Sequence, residues 1–315
     1  MSAVAIVGAG LIGRAFAITF ARAGRTVRLW DPDPAAAPGA AGFIATVADD
    51  LAANDLLGGR TVAEVLAAIH PVTTIEAALD GAEWVQECGP ERIEPKRETF
   101  AALDRIAAPD TILASSTSGL LPSAFSEGLP GRARCIVAHP INPPYLVPAV
   151  ELVPAPWTDP DVMRRAEAFL REVGQVPLVM TREIDGFIMN RLQGALLEEA
   201  FRLVAEGYAG PEDIDRGIAD GLALRWSFIG PFETIDLNAP GGVADYVARY
   251  NDLYAGIFAQ SQRRADWTGA VLDTVTAQRR TVTPQDGLAE RQIWRDRRLM
   301  ALRAHKKLAD DTFGR

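Results

Sequence analysis

Short apolar runs alternate with amphipathic stretches from the start of the chain to about residue 180, the pattern of parallel strands joined by helices. The runs at 4–7, 26–30, 83–87, 111–114, 134–138 and 176–179 predict strands, and the apolar spacing in 11–23 and 96–107 predicts helices between them. After Asp185-Gly186 the period changes. Leu192, Leu196, Ala200, Leu203 and Val204 recur at helical spacing through 187–206, and no comparable strand follows. Gly210-Pro211-Glu212-Asp213 closes one helix and opens another, because proline fits a first helical turn and acidic residues favour the positive end of the helix dipole. The pattern predicts an α/β chain: a doubly wound, mostly parallel sheet over 1–182, then an all-helical domain over 183–315.

Length agrees with that division, since 315 residues suit two domains that share a cleft. Hydrophobic residues at 48% and charged ones at 23% describe a globular chain rather than a disordered one. The net charge of −9 repels a phosphate backbone, so nucleic acid is not an expected partner. Two cysteines, Cys88 and Cys135, both in strand-like runs, are too few for a disulfide framework or a cysteine metal site. No metal is expected. Neither a membrane-length apolar stretch nor a signal-peptide pattern is visible, and a reducing, cytoplasmic setting is expected.

Gly8-Ala9-Gly10-Leu11-Ile12-Gly13 directly follows the first strand and opens the first helix. In that position Gly8 permits a tight turn, Gly10 lets backbone approach a pyrophosphate, and Gly13 lets the helix pack closely on the sheet. The helix end offers N–H groups and partial positive charge to phosphates. Asp31, at the end of the second strand, is placed to accept hydrogen bonds from a ribose and to repel a 2′-phosphate. No Lys, Arg or His lies between Arg28 and Arg60 to neutralise one. These residues predict a Rossmann-like domain that takes NAD rather than NADP; the other reading of Asp31 is a turn aspartate before Pro32.

Of three histidines, His139 ends a strand before Pro140, at the sheet edge where ligands bind in such folds. It is the candidate general base for oxidising an alcohol. His70 reads as a boundary residue after a helical run, and His305 as part of a solvated face beside Arg303, Lys306 and Lys307. Glu151, an acid inside the apolar run Val150-Glu151-Leu152-Val153, is either the partner that orients His139 or an exposed strand-edge glutamate.

With Ser115-Ser116-Thr117-Ser118, His139-Pro140-Ile141-Asn142-Pro143-Pro144-Tyr145, Asp185-Gly186-Phe187-Ile188-Met189-Asn190-Arg191-Leu192 and Phe228-Ile229-Gly230-Pro231 added, the chain resembles the L-3-hydroxyacyl-CoA dehydrogenase superfamily over almost its whole length. Within it, the L-gulonate 3-dehydrogenase and lambda-crystallin branch is most similar. The resemblance implies His139 as base, Glu151 as its partner, and Ser118 and Asn190 as polar groups that hold the reacting oxygen. It also implies that Glu91 and Lys96 line the nicotinamide end of the cofactor, and that the chain forms a homodimer. Read from the residues alone, Ser118 could equally cap a helix and Asn190 satisfy backbone groups. Ser116 stands where acyl-CoA members typically carry Asn, and Pro143-Pro144-Tyr145 is likewise unlike them.

Coenzyme A carries several phosphate charges and calls for Lys or Arg near its adenine end. Residues 29–59 hold Asp31, Asp33, Asp49, Asp50 and Asp55 and no base, so the expected substrate is a small free L-3-hydroxy acid, with an acyl-CoA as the alternative. Arg225 is the candidate clamp for its carboxylate, or else a surface arginine between helices. A non-catalytic, crystallin-like NAD-binding protein is the competing class. The basic run 291–307 has Ile293, Leu299, Met300 and Leu302 interleaved, and reads as a terminal helix with one solvated face.

Overall fold

The computed structural model describes residues 3–260 (258–260 by their backbone) and 267–314. Among these residues eight strands form one sheet: β1 Ala3–Val7, β2 Thr26–Trp30, β3 Ile69–Pro71, β4 Ala82–Glu87, β5 Ile112–Ser115, β6 Cys135–Pro140, β7 Ala149–Pro154 and β8 Val176–Val179. Their spatial order is β3-β2-β1-β4-β5-β6-β7-β8. β1 to β6 run parallel, whereas β7 lies antiparallel to β6 and carries β8 in its own direction. This is the doubly wound, mostly parallel sheet expected, with one reversal at β7.

The sheet is covered on both faces, which is why β1 is apolar throughout and buried at every position. On one face Val4 and Ile6 meet Phe16 and Phe20 of helix Leu11–Arg22, whose rings stack at 5.3 Å, while Phe169 stacks on Trp84 at 4.6 Å. On the other face Ala5, Val7, Val85 and Leu113 pack with Phe100, Phe125 and Phe187. Burying the aromatic side chains contributes roughly 1.5–3 kcal/mol each, before conformational entropy is set against it.

Two strands go beyond those that the apolar runs predict. Ile69–Pro71 is a three-residue edge strand, with exposed His70 in its middle, after a short helix, Val62–Ala67, that Thr61 and Glu64 close with a reciprocal capping box. Ala149–Pro154 is the strand that contains Glu151.

The chain divides into two compact units, Met1–Asn190 with Trp294–Arg315, and Arg191–Ile293. A single cut near 182 misses the return of the tail. Within the first unit the last helix, Leu288–Phe313, contributes its part from Trp294 onward, which buries Met300, sets Arg297 Nε 3.6 Å from Asp50 and places Lys307 Nζ 2.5 Å from Asp55. The apolar residues interleaved in that basic run are what return it, since Met300 is part of the core cluster of this sheet face and Leu299 packs against that cluster. The second unit is helical throughout its described residues and leaves Leu192, Leu196, Val247 and Leu253 exposed. No helix among the described residues is long and apolar enough to cross a membrane.

Candidate active site

The carboxyl ends of β1, β2, β4 and β5 are stitched together by backbone hydrogen bonds: Gly8 N–H to Trp30 O at 2.8 Å, Cys88 N–H to Val7 O at 2.7 Å and Ser116 N–H to Glu87 O at 2.8 Å. Ligands of parallel sheets bind along this edge. Gly8 has φ +108°, and a Cβ there would sit 2.7 Å from Cys88 O; a Cβ on Gly13 would collide with the Gly8 carbonyl oxygen. Gly10 is different. A Cβ there would meet nothing within 4 Å, so the glycine leaves open space over the start of helix Leu11–Arg22, an end that no side chain caps. Leu11 is exposed and Ile12 half-buried in the same turn.

Asp31 is held at the mouth of this loop. Its Oδ2 accepts the Ala9 N–H at 2.7 Å and its Oδ1 the Asp33 N–H at 2.9 Å, which leaves acceptor positions on both oxygens for ribose hydroxyls. A bare helix end, a side-chain-free approach and a fixed carboxylate fit a dinucleotide without a 2′-phosphate.

After β4, Glu91 organises the serine loop. Its Oε1 accepts the Thr117 hydroxyl at 2.6 Å and the Ser118 and Gly119 N–H groups at 3.0 Å each. The Ser118 carbonyl in turn accepts Asn190 Nδ2 at 2.6 Å. Glu91, Ser118 and Asn190 are therefore one connected group. Lys96 is instead buried, with Nζ 2.9 and 2.7 Å from the two oxygens of Glu87. Ser115 Oγ and the Gly89 N–H complete that carboxylate at 2.7 Å each. Glu87 is not among the residues that the sequence singles out, although a charged residue closing the strand-like run that holds Trp84 and Val85 is its signal.

His139 and Glu151 are register partners across β6 and β7. Directly opposed residues of an antiparallel pair project from the same face, ~5 Å apart at Cβ. Here His139 Nδ1 lies 2.6 Å from Glu151 Oε2, with Glu151 fully buried and His139 nearly so. The exposed-edge reading of Glu151 is thus removed. Its Oε1 accepts the Ile188 and Met189 N–H groups at 2.6 and 2.8 Å, at the start of helix Met189–Ala205. Burial pushes the Glu151 carboxyl up. The His139 hydrogen bond, the two N–H groups and the His139 charge push it down and prevail, so it stays below the ordinary carboxylate range.

Gln86 braces the strand of the histidine, donating from Nε2 to Ser116 Oγ at 2.8 Å and to Ala138 O at 3.3 Å while its Oε1 accepts Trp84 Nε1 at 3.0 Å. Cys88 lies beside it, but burial raises its thiol to about 12, which removes it as a nucleophile at neutral pH. Arg225 belongs to the second unit, exposed on helix Ala223–Trp226, where its charge reaches the Tyr246 phenol.

Residues 3–184 match the model of the 3-hydroxyacyl-CoA dehydrogenase NAD-binding domain, and residues 186–281 that of the 3-hydroxyacyl-CoA dehydrogenase C-terminal domain. A lambda-crystallin homolog of Bos taurus is 44% identical over 302 residues, 95% of this chain and 94% of that protein. The L-carnitine dehydrogenase of a Pseudomonas species is 39% identical over 236 residues, 74% of this chain and 71% of that protein. Among solved structures, 5-formyl-3-hydroxy-2-methylpyridine 4-carboxylic acid 5-dehydrogenase, described as an NAD+-dependent dismutase, superposes with a TM-score of 0.82 at 27% identity, covering 96% of this chain and 97% of that one.

Proposed function

The chain belongs to the 3-hydroxyacyl-CoA dehydrogenase family of NAD-dependent oxidoreductases that act on a hydroxyl, and on that footing we propose that its substrate is a small free L-3-hydroxy acid of the L-gulonate kind, oxidised at the 3-hydroxyl to the 3-keto acid. The observation that carries the oxidation of a hydroxyl is the buried His139–Glu151 pair at 2.6 Å. Because Nδ1 is engaged by Glu151, Nε2 is the nitrogen left to take the hydroxyl proton, and the carboxylate stabilises the imidazolium that results. Ser118 and Asn190 hold the reacting oxygen, with Glu91 fixing the loop that carries Ser118. NAD, held by Gly8, Gly10, Leu11, Ile12, Gly13 and Asp31, supplies the hydride acceptor, and Lys96 shapes the neighbouring wall through Glu87.

Three observations support a free acid over a coenzyme A ester. The stretch 29–59 carries no base of its own. Two of the cations that the C-terminal helix brings to it, Arg297 and Lys307, face Asp50 and Asp55. The Pseudomonas relative is named for L-carnitine rather than for a coenzyme A ester. Arg225 is proposed to bind the substrate carboxylate. The exposed apolar side chains of the helical unit support a homodimer, and the free thiols of Cys88 and Cys135 suit a cytoplasmic setting.

Initial rates of NAD reduction with L-gulonate, 3-hydroxybutyrate and carnitine, set beside acetoacetyl-CoA reduction, test the substrate class. Acetoacetyl-CoA turning over far more efficiently than every free acid would overturn it. His139→Gln is expected to bind NADH normally and lose most turnover; a variant that keeps turnover has another base.

A further inference from the structure

Among the described residues, Phe187 is the one aromatic held at a positive φ, +49°, directly after Gly186 at +76°. A side chain at such a φ crowds the neighbouring carbonyl, so glycine or asparagine is the usual occupant, and a bulky residue persists there only where its surroundings over-determine it. Three contacts do so here. The Phe187 N–H closes a turn onto Ile184 O at 3.0 Å. The ring is fully buried in the core face shared with Val85 and Phe100. It also bears on the His139 imidazole, ring centroids 5.7 Å apart and tilted by 53°. The two residues that follow are those whose N–H groups, Ile188 and Met189, end on Glu151 Oε1.

We propose that Phe187 is a positioning residue of the base: its left-handed backbone turns the next two N–H groups onto Glu151, and its ring backs the imidazole that Glu151 holds. The inference rests on the reading of His139 as the general base. A glycine would make the same turn with less strain, but it would leave the imidazole without its wall. An imidazole free to swing away from Glu151 loses both its tautomer and its aim, while the glycine loop and Asp31, on other elements, are untouched.

The test is a cycle of four proteins: the parent, Phe187→Gly, His139→Gln and the double variant, each measured for kcat and for NADH affinity by fluorescence titration. Phe187→Gly is expected to lower kcat by about 10- to 100-fold, the scale of a misplacement near 1 Å, with NADH Kd within about twofold of the parent. In the His139→Gln background the same change is expected to cost nothing further, since a residue acting through the imidazole has nothing left to act on. Phe187→Leu, which keeps apolar bulk, is expected to restore most of the kcat that Phe187→Gly loses, and Phe187→Ala, which removes the ring, carries the same cycle if the glycine variant does not fold. A kcat within about threefold of the parent for the variant that removes the ring, or losses that multiply in the double variant, overturns the proposal. If His139→Gln alone retains turnover, the reading of the base falls and takes this inference with it. If His139→Gln is dead and Phe187→Gly is not, only this inference falls.

Discussion

Replacing Glu151 by glutamine keeps the shape of the side chain and changes only what its two terminal atoms can accept. In the parent one oxygen takes His139 Nδ1 at 2.6 Å and the other takes two backbone N–H groups at 2.6 and 2.8 Å. An amide cannot serve both sides. With its oxygen on Ile188 and Met189, its NH2 faces Nδ1, which must then accept; the ring proton moves to Nε2, the nitrogen that should take the proton from the substrate. With the amide flipped, its NH2 faces two buried N–H donors that have lost their acceptor, at about 1–3 kcal/mol each. The wrong tautomer alone lowers kcat by ~10⁴ in a serine-protease triad. We therefore expect a kcat loss of about 10²–10⁴, equivalent to about 3–5.5 kcal/mol of barrier at 1.36 kcal/mol per tenfold. Progress curves of NAD reduction with the best hydroxy acid give kcat, and fluorescence titration gives NADH affinity, which should stay within about twofold. A Glu151→Gln enzyme within about threefold of the parent kcat would refute the assignment of Glu151 as the orienting partner. The same pair sets a pH dependence. The folded pKa of Glu151 lies below its ordinary value of 4.5, so its contribution to stability is complete above that value and is lost as pH falls through the lowered one. Glu151→Gln should flatten that part of the acid-unfolding curve.

Lys96→Met leaves the Glu87 carboxylate buried without its cation, and a stability loss of about 3–5 kcal/mol is expected in urea unfolding. Adding Glu87→Gln should recover most of it, and a loss below about 1 kcal/mol would show that the pair carries no such charge. Asp31→Ala removes both the ribose acceptor and the tie to Ala9, so NAD affinity should fall by about tenfold or more while NADP gains relative to it; an unchanged NAD to NADP ratio would count against the role of Asp31. Arg225→Leu should raise KM for the hydroxy acid by about 10- to 100-fold through the loss of a charged hydrogen-bond pair, and spare NADH binding. An unchanged KM would remove Arg225 from the substrate site.

What is legible in the chain is what is contiguous in it. The strand, glycine turn, helix and second-strand aspartate lie within the first 31 residues, and the closest approach in the turn, Gly13 against the Gly8 carbonyl, is between residues close in sequence, so the cofactor domain can be read from the residues alone. Gly8 also meets Cys88, whose place beside it comes only from β1 and β4 lying together. His139 is legible as a histidine closing a strand. The acid twelve residues on is ambiguous, because a glutamate in an apolar run reads as a partner or as an edge residue until the direction of β7 is known. The antiparallel return of β7 decides it, by setting Glu151 directly opposite the histidine. Lys96 shows the opposite outcome: its charge is plain, but only the packing of helix Ile93–Ile106 reveals Glu87 beneath it. Nor does one-dimensional spacing show that Lys307 reaches Asp55 across 252 positions, which adds cations in space to a stretch that has none in sequence. The positive φ of Phe187 is equally out of reach, since nothing about a phenylalanine suggests a left-handed backbone. Local steric and periodic constraints are written residue by residue and survive without the fold. Pairings between a buried charge and its partner depend on which strand and helix surfaces the core brings together, and the tertiary structure alone decides those.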